Sequence, residues 1–281
     1  MIDPENISAC LPCSHSTARW SVVIPYFNEE AFLLATLASL SAQTLRPFHV
    51  ILIDNGSTDQ TAELAKAWAV AQQGIRVTLL SEPTPGQVHA LAAGVAVVDT
   101  EFLAICDADT LYPPGYLDTA TARMDSVSHS IVGFIAHDTH ADPDSLSERA
   151  GRWLYTHVIP NILRNQAHGG GYAHLMRTAQ FRASGGYCAG LWPYVLKDHE
   201  LAHRLTKQGE IRYATDLWVR PSDRRADRNG VRWTLFERIL YHLTPPRAKD
   251  WFFYGFLRRR FVARGQQDTV LRKQSWVDSG N

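Results

Sequence analysis

A chain of 281 residues, 45 % of them hydrophobic, can bury one substantial core and still carry a smaller C-terminal appendage. Its 28 basic and 28 acidic residues cancel, which excludes a global attraction to nucleic acid or to an anionic membrane and leaves only local patches to provide one.

Residues 1–18, MIDPENISACLPCSHSTA, lack periodic hydrophobicity and read as a loose leader. Cys10 and Cys13 have no second Cys or His pair at zinc-site spacing, because the remaining cysteines are Cys106 and Cys188. No charged-then-apolar signal sequence opens the chain, and no run approaches the roughly 20 apolar residues that span a bilayer. The expected compartment is the cytoplasm, with peripheral contact at the cytoplasmic face of a membrane as a further option.

From Trp20 onward SVVIP, HVILID, RVTLLS and EFLAICD have the length and β-branched content of strands, separated by segments of helical spacing. That alternation predicts βαβ units, an α/β fold whose central sheet is mostly parallel with helices on both faces. Helices are expected over 30–43, from 57–59 through 68, and over 87–98, with Phe32, Leu33, Leu37 and Leu40 as the apolar face of the first. Ligands of open α/β sheets gather beyond the carboxyl ends of the strands. Polar sequences lie at such ends or in the turns after them, at 26–30, 54–59, 85–87 and 107–110. Beyond Asp125 the regularity weakens. Residues 138–164 read as a polar loop entering a helix, LKDHELAHRLTKQG as another helix, and the second half is expected to complete the sheet and face an acceptor.

Asp107 and Asp109 flank Ala108 directly after a buried strand, where carboxylates need a counter-charge. A hard divalent cation, Mn²⁺ or Mg²⁺, takes oxygen ligands and leaves coordination room for a diphosphate. A solvated turn with Asp109 capping the next segment, before Pro113-Pro114, is the alternative. The turn after the first strand, YFNEE, has neither the G-x-G-x-x-G of dehydrogenases nor the Walker pattern of P-loop enzymes.

Taken in order, SVVIPYFNEE, ILIDNGSTDQT, ICDADT and LKDHELAHRLTKQG resemble an inverting family 2 glycosyltransferase of the GT-A type over roughly residues 20–215. The resemblance implies that Pro25, Tyr26, Asn28 and Glu29 border the nucleotide of a nucleotide-sugar donor, with a UDP-sugar favoured. It implies that Asp54 meets the base, that Gln87 lies under the diphosphate, that Asp107, Ala108 and Asp109 serve ribose, metal and diphosphate, and that Asp198 is the catalytic base. Asn55 stands where the family often has a second acid, and Lys197 stands where an acid often precedes the base. Physical chemistry is compatible with these roles: a carboxylate at Asp54 accepts from an imide N–H or from turn amides, and Asp198 either abstracts a hydroxyl proton or caps a helix. His89 offers a phosphate donor or a packed surface residue.

On the acceptor side Gly170 and Gly171, in a three-glycine run, can bring backbone amides close to a substrate. Trp192 can stack on an acceptor, with core packing as the alternative, and Glu200 is the second candidate base. The acceptor is expected to be a lipid-linked or cell-envelope glycan. Arg220, Arg224, Arg225, Arg228 and Arg232 can clamp a diphosphate or a phospholipid head group. WFFYGFLRRRF suits an interfacial helix on an anionic membrane, with burial in a homodimer as the other cover. The expected organisation is a leader over 1–18, a catalytic domain over 19–215 and a helical, basic C-terminal segment over 216–281. A non-catalytic nucleotide- or membrane-binding module and a sugar nucleotidyltransferase are the competing readings.

Overall fold

The computed structural model describes residues 18–139, 145–158, 171–222 and 233–273. Four parallel strands form its first half: β1 (Trp20–Tyr26), β2 (Phe48–Asp54), β3 (Ile75–Ser81) and β4 (Phe102–Ile105). They alternate with α1 (Leu33–Ser41), α2 (Thr61–Ala71) and α3 (Gln87–Ala96), so the predicted βαβ pattern holds with helix ends shifted by a few residues. After β4 come β5 (Thr110–Leu111), α4 (Tyr116–Asp125), β6 (Ile131–Asp138), α5 (Leu146–His157), β7 (His174–Arg177), α6 (Thr178–Ala183), α7 (Lys197–Leu205) and β8 (Glu210–Pro221). The sheet order is β3-β2-β1-β4-β7-β6-β8-β5. β7 runs antiparallel to both β4 and β6, β5 runs antiparallel to β8, and β6 pairs parallel with β8.

Period-two alternation explains the layers. Val22 and Ile24 of β1, with Val50 and Leu52 of β2, face Leu33, Leu37 and Leu40 of α1 and Leu117 of α4. Val23, Ile51 and Ile53 point the other way, against Val88 and Leu91 of α3, Phe181 of α6 and Leu201 of α7. Gly94 lets α3 lie close on the sheet, because an added Cβ would fall 2.6 Å from Ile53 Cδ1 and 2.8 Å from Val23 Cγ1. The chain moves from β1 outward to β2 and β3, then crosses back through α3 to β4 on the opposite side of β1. The carboxyl ends of β1 and β4 therefore flank a topological switch point, where α/β sheets form their ligand crevice.

A third cluster is aromatic. Trp192, Tyr194, Tyr241, Phe252, Phe253, Leu257 and Phe261 are buried together, built from α8 (Leu235–Leu243), a π-helical turn (Trp251–Leu257) and α9 (Arg258–Ala263). Two expectations change here. Trp192 does not face an acceptor; its ring packs on Phe253 and Phe261, and its Nε1 donates to the Val195 carbonyl at 3.0 Å. The WFFYGFLRRRF segment does not present its aromatic run outward, because Phe252, Phe253, Leu257 and Phe261 are fully buried. Arg260 reaches back from the surface to form an ion pair with the buried Glu237 at 2.6 Å.

β8 continues through residue 215 to Pro221 and pairs with β5 beside Asp109, so a boundary at 215 falls inside a strand. Of the basic cluster, Arg220 lies on β8, whereas Arg224, Arg225, Arg228 and Arg232 lie outside the described residues. Among the described residues no helix is long and apolar enough to cross a membrane.

Candidate active site

The turns after β1 and β2 interlock. Asn28, in the left-handed region at φ 53°, accepts through Oδ1 from the Thr58 N–H at 2.8 Å, and its own N–H donates to Ser57 Oγ at 3.1 Å. The Glu29 N–H donates to Thr61 Oγ1 at 2.8 Å. Asp54 Oδ1 accepts from the Ser57 N–H at 2.9 Å, so this carboxylate satisfies its own turn while staying half-buried at the rim. Pro25 and Tyr26 are buried within β1 and support the rim from beneath. Burial, reinforced by the charges of Asp54 and Glu63, pushes the Tyr26 phenol well above its ordinary range.

Asn55 shows why an amide stands where an acid is common in the family that the motifs resemble. Its Nδ2 donates to the carbonyls of Glu82 and Thr84, both at 2.8 Å, and its Oδ1 accepts from the Gly86 N–H at 3.0 Å. A carboxylate could not make the two donations. Asn55 thereby fixes the turn that leads into α3.

α3 begins at Gln87, whose Nε2 approaches Asp107 Oδ1 at 3.4 Å. Its N-terminus carries a cap that sequence reasoning missed. Asp268, on a 3₁₀ turn (Asp268–Lys273), accepts from the Val88 N–H at 2.9 Å across 180 residues of chain. Gly86 is required at this approach: its φ is +130°, and an added Cβ would lie 2.9 Å from Asp268 Oδ2. From the same turn Arg272 stacks over Phe27, 3.7 Å from the ring centroid, and donates to the Asn55 carbonyl. A strap from the far end of the chain thus closes over the turns expected to hold the base. His89 is half-buried on α3.

After β4 the two acids of the Asp-Ala-Asp turn diverge. Asp107 is half-buried on the side of Gln87, and its N–H donates to the Tyr112 hydroxyl at 3.0 Å. Ala108 is buried, with its carbonyl accepting from Thr36 Oγ1 at 2.9 Å. Asp109 is 8 % exposed, and Ser222 Oγ donates to its Oδ2 at 2.9 Å. It lines a cavity of about 370 Å³ together with Thr36, Arg220 and Ser222. Among the described residues no three His, Cys, Asp or Glu side chains cluster as a self-sufficient metal site. A hydrogen-bonded carboxylate at a cavity wall, with a second on the same turn, nevertheless suits a cation that takes its other ligands from a diphosphate and water.

Asp198 sits in the first turn of α7, and Tyr187 donates its hydroxyl to Asp198 Oδ1 at 3.2 Å. Burial alone would raise this carboxyl, but the charges of Lys197, His174 and His199 and the Tyr187 hydrogen bond hold it below the ordinary Asp range. Burial raises the Tyr187 phenol well above its usual value, and the charges of Asp198 and Asp107 add to that rise. Tyr187 therefore feels both carboxylates, one after β4 and one on α7. Leu196, just before α7, is held at φ 61°, a conformation that disfavours a side-chain-bearing residue by about 1 kcal/mol. Such strain concentrates at functional sites.

The model for Glycosyl transferase family 2 matches residues 21–185, more than half of the chain. The chain belongs to that family. Among its relatives, an uncharacterized glycosyltransferase of Mycobacterium tuberculosis is 35 % identical over 113 residues, 40 % of this chain and 47 % of that protein. The undecaprenyl-phosphate 4-deoxy-4-formamido-L-arabinose transferase of Pseudomonas aeruginosa is 34 % identical over 118 residues, 41 % of this chain and 34 % of its own. The chain therefore matches less than half the length of these curated relatives. The crystal structure of Staphylococcus aureus TarS (residues 1–349) with UDP-GlcNAc superposes with a TM-score of 0.58 at 17 % identity, covering 87 % of this chain and 73 % of that one. The mannosyltransferase PcManGT of Pyrobaculum calidifontis, in complex with GDP-Man and Mn²⁺, gives 0.59 at 18 %, covering 92 % and 71 %. These likenesses agree with the GT-A architecture.

Within this family 2 fold, Asn28, Glu29, Asp54, Gln87 and Asp107 gather around the carboxyl ends of β1, β2 and β4. Glu200 does not join them. It is buried, bound by both arms of Arg204 at 2.7 and 2.8 Å and by the Tyr254 hydroxyl, so its lone pairs are committed to an ion pair inside the fold. Gly170 lies outside the described residues, and Gly171 opens the short 3₁₀ turn before β7.

Proposed function

We propose that this family 2 protein transfers a single sugar from a nucleotide-diphosphate sugar, preferably a UDP-sugar, to a hydroxyl of a lipid-linked or cell-envelope glycan acceptor, with inversion. The observation that carries the reading is Asp198: a carboxylate held ionised at neutral pH, oriented by Tyr187, on a helix beside the β4 turn that bears Asp107. As general base it takes the acceptor hydroxyl proton while the acceptor oxygen bonds to the anomeric carbon and the bond from that carbon to the diphosphate breaks. One displacement inverts the configuration. Asp54, Asn28 and Glu29 would line the nucleotide end, and Gln87 with Asp107 the ribose and diphosphate. A divalent cation held at Asp109, the acid on the cavity wall, would supply charge neutralisation to the departing diphosphate, with Asp107 turned to the Gln87 side.

The UDP-GlcNAc of TarS and the GDP-Man and Mn²⁺ of PcManGT support a nucleotide-sugar donor and a metal, and the undecaprenyl-phosphate relative supports a lipid-linked acceptor. We assign catalysis to the body through β8 and a supporting role to the segment from Thr234 onward. The deciding experiment is hydrolysis of a panel of nucleotide sugars with Mn²⁺, Mg²⁺ or chelator, paired with calorimetric donor binding. Turnover of a UDP-sugar only in the presence of metal is expected. Donor binding without turnover of any donor, with or without acceptor lipid, would favour the non-catalytic module instead.

A further inference from the structure

α8 is amphipathic in the wrong sense for a helix that packs on a core. Its inward residues are Glu237 and Tyr241, both buried, with Leu240 half-buried on the aromatic cluster, while Leu235, Phe236, Ile239 and Leu243 are 48 to 74 % exposed. Positions i, i+1, i+4 and i+8 fall on one stripe, so these four apolar side chains point away from the protein. Glu237 accounts for the orientation. Arg260 and Arg264 both donate to its Oε1 at 2.6 Å, and turning the helix over would expose that ion-paired network and bury leucine against arginine. The stripe extends beyond the helix: Phe236 meets Phe256 at 6.1 Å, and Phe256 stacks on the half-exposed Trp251 at 5.8 Å. A contiguous apolar surface of this kind requires a cover.

Charge identifies the cover. Residues 234–264 hold seven Lys or Arg against two acids, a local net charge of +5 in a chain whose total is zero. Glu237 is buried, and Asp250 is taken up by Lys207 and His203, whereas Arg238, Arg247, Arg258 and Arg259 are exposed. A twofold contact between two copies would bring two patches of the same net positive charge together, a like-charge arrangement that opposes association. An anionic bilayer satisfies both features, taking the leucine and phenylalanine side chains and the Trp251 indole into its interfacial region and the arginines among its head groups.

We infer that the α8 face, with Trp251, is a docking surface for an anionic lipid bilayer. The surface is joined to the candidate base: His199, next to Asp198, packs edge-on against Trp233 at 5.4 Å and Tyr241 at 5.9 Å. Docking therefore sets the mouth of the site one helix layer from the lipid surface. That consequence rests on the proposed transfer to a lipid-linked acceptor, but the docking itself needs neither donor nor acceptor.

The test is co-sedimentation of the full chain with phosphatidylcholine vesicles, with and without phosphatidylglycerol, over a salt series. Binding should require the anionic lipid and weaken with salt. The triple variant Leu235→Gln, Phe236→Gln, Leu243→Gln and the triple variant Arg238→Gln, Arg258→Gln, Arg259→Gln should each lower the partition coefficient by about tenfold or more. Both should keep the wild-type thermal midpoint and donor hydrolysis. Binding indifferent to lipid charge, or retained by the apolar variant, overturns the inference. So does a concentration-dependent dimer, seen by sedimentation equilibrium without lipid, that the apolar variant abolishes, or a fall in that variant's thermal midpoint of the size a core mutation produces. Loss of donor hydrolysis in wild type with vesicle binding intact would count against the transferase reading alone.

Discussion

α7 and α8 are each nine residues long and each amphipathic, with Asp198 and Glu200 in the first turn of one and Glu237 in the first turn of the other, yet they face opposite ways. α7 buries Leu201, Ala202 and Leu205 along with the Arg204-paired Glu200, and leaves Asp198 half-buried; α8 buries Glu237, packs Leu240 on the aromatic cluster and leaves Leu235 and Leu243 in solvent. Asp198 and Glu237 differ in what each meets. Asp198 finds one phenolic hydroxyl and a set of nearby cations, enough to keep it ionised without fixing it in a salt bridge. Glu237 finds two arginines and the backbone of its own capping box, a set of partners that outweighs burial of the leucine face. A periodic pattern reports that a helix has an apolar side, and long-range ion pairs decide where that side goes.

The largest expected effect tests the α7 half of this contrast. Asp198→Asn should lower kcat by about 10²–10⁴-fold while donor affinity is unchanged, because the amide cannot accept the acceptor's proton. An equal loss of donor affinity, or unfolding, would make Asp198 a structural cap. In the wild type the acid limb of kcat/KM should lie below the ordinary Asp value of 3.8, since the base works only while ionised and its folded value is depressed. Close behind, Asp109→Asn should lower turnover by about two orders of magnitude and shift the Mn²⁺ dependence to higher concentration. Full activity in excess chelator would remove the metal from the reaction.

Next in size is Glu237→Gln, which strips the charge partner from two arginines that still reach solvent. We expect a loss of about 2 kcal/mol, less than for a fully buried pair, measured by urea unfolding. Burial raises the Glu237 carboxyl, but Arg260, Arg264 and the Thr234 amide together bring it below its ordinary value. Its contribution is therefore present above pH 4.5 and disappears as pH falls through the folded value, so the wild-type advantage over the variant should shrink in acid. A variant as stable as wild type at neutral pH would mean that Glu237 does not orient α8. Smaller again, Arg272→Ala should weaken donor binding by about fivefold, the scale of one cation–π contact, through loosening of Phe27 and the Asn55 turn. No change in donor affinity would leave the strap a purely structural closure. The smallest effect is on the outer face of α8, where Leu235→Gln should alter stability by less than about 0.5 kcal/mol, since the side chain is already in water.

Much of the candidate site's framework was legible before the fold. Strand-ending acids at Asp54, Asp107 and Asp109, and Asp198 opening a helix, occupy the places their local patterns predicted, because strand and helix periods are set within a few residues. Trp192 and Glu200 were misplaced for one reason: a large aromatic and a helical acid have the same local signature whether they face a ligand or a core. Tyr187, Asp268 and Arg272 went unread. A tyrosine after Gly185-Gly186 carried a faint signal, but nothing within reach of Asp268 or Arg272 indicates contact with residues 180 and 217 positions away.

By itself, then, the sequence determined the βαβ half of the sheet, its two packed faces and the acids at its rim, since backbone period and side-chain polarity act locally. Only the tertiary structure decided that Asp109 turns toward Ser222 while Asp107 turns toward Gln87, that a C-terminal aspartate caps α3, and that α8 shows Leu235 and Leu243 to solvent. Each of these depends on an ion pair or hydrogen bond between residues distant in the chain, whose strength is set by the burial that folding creates.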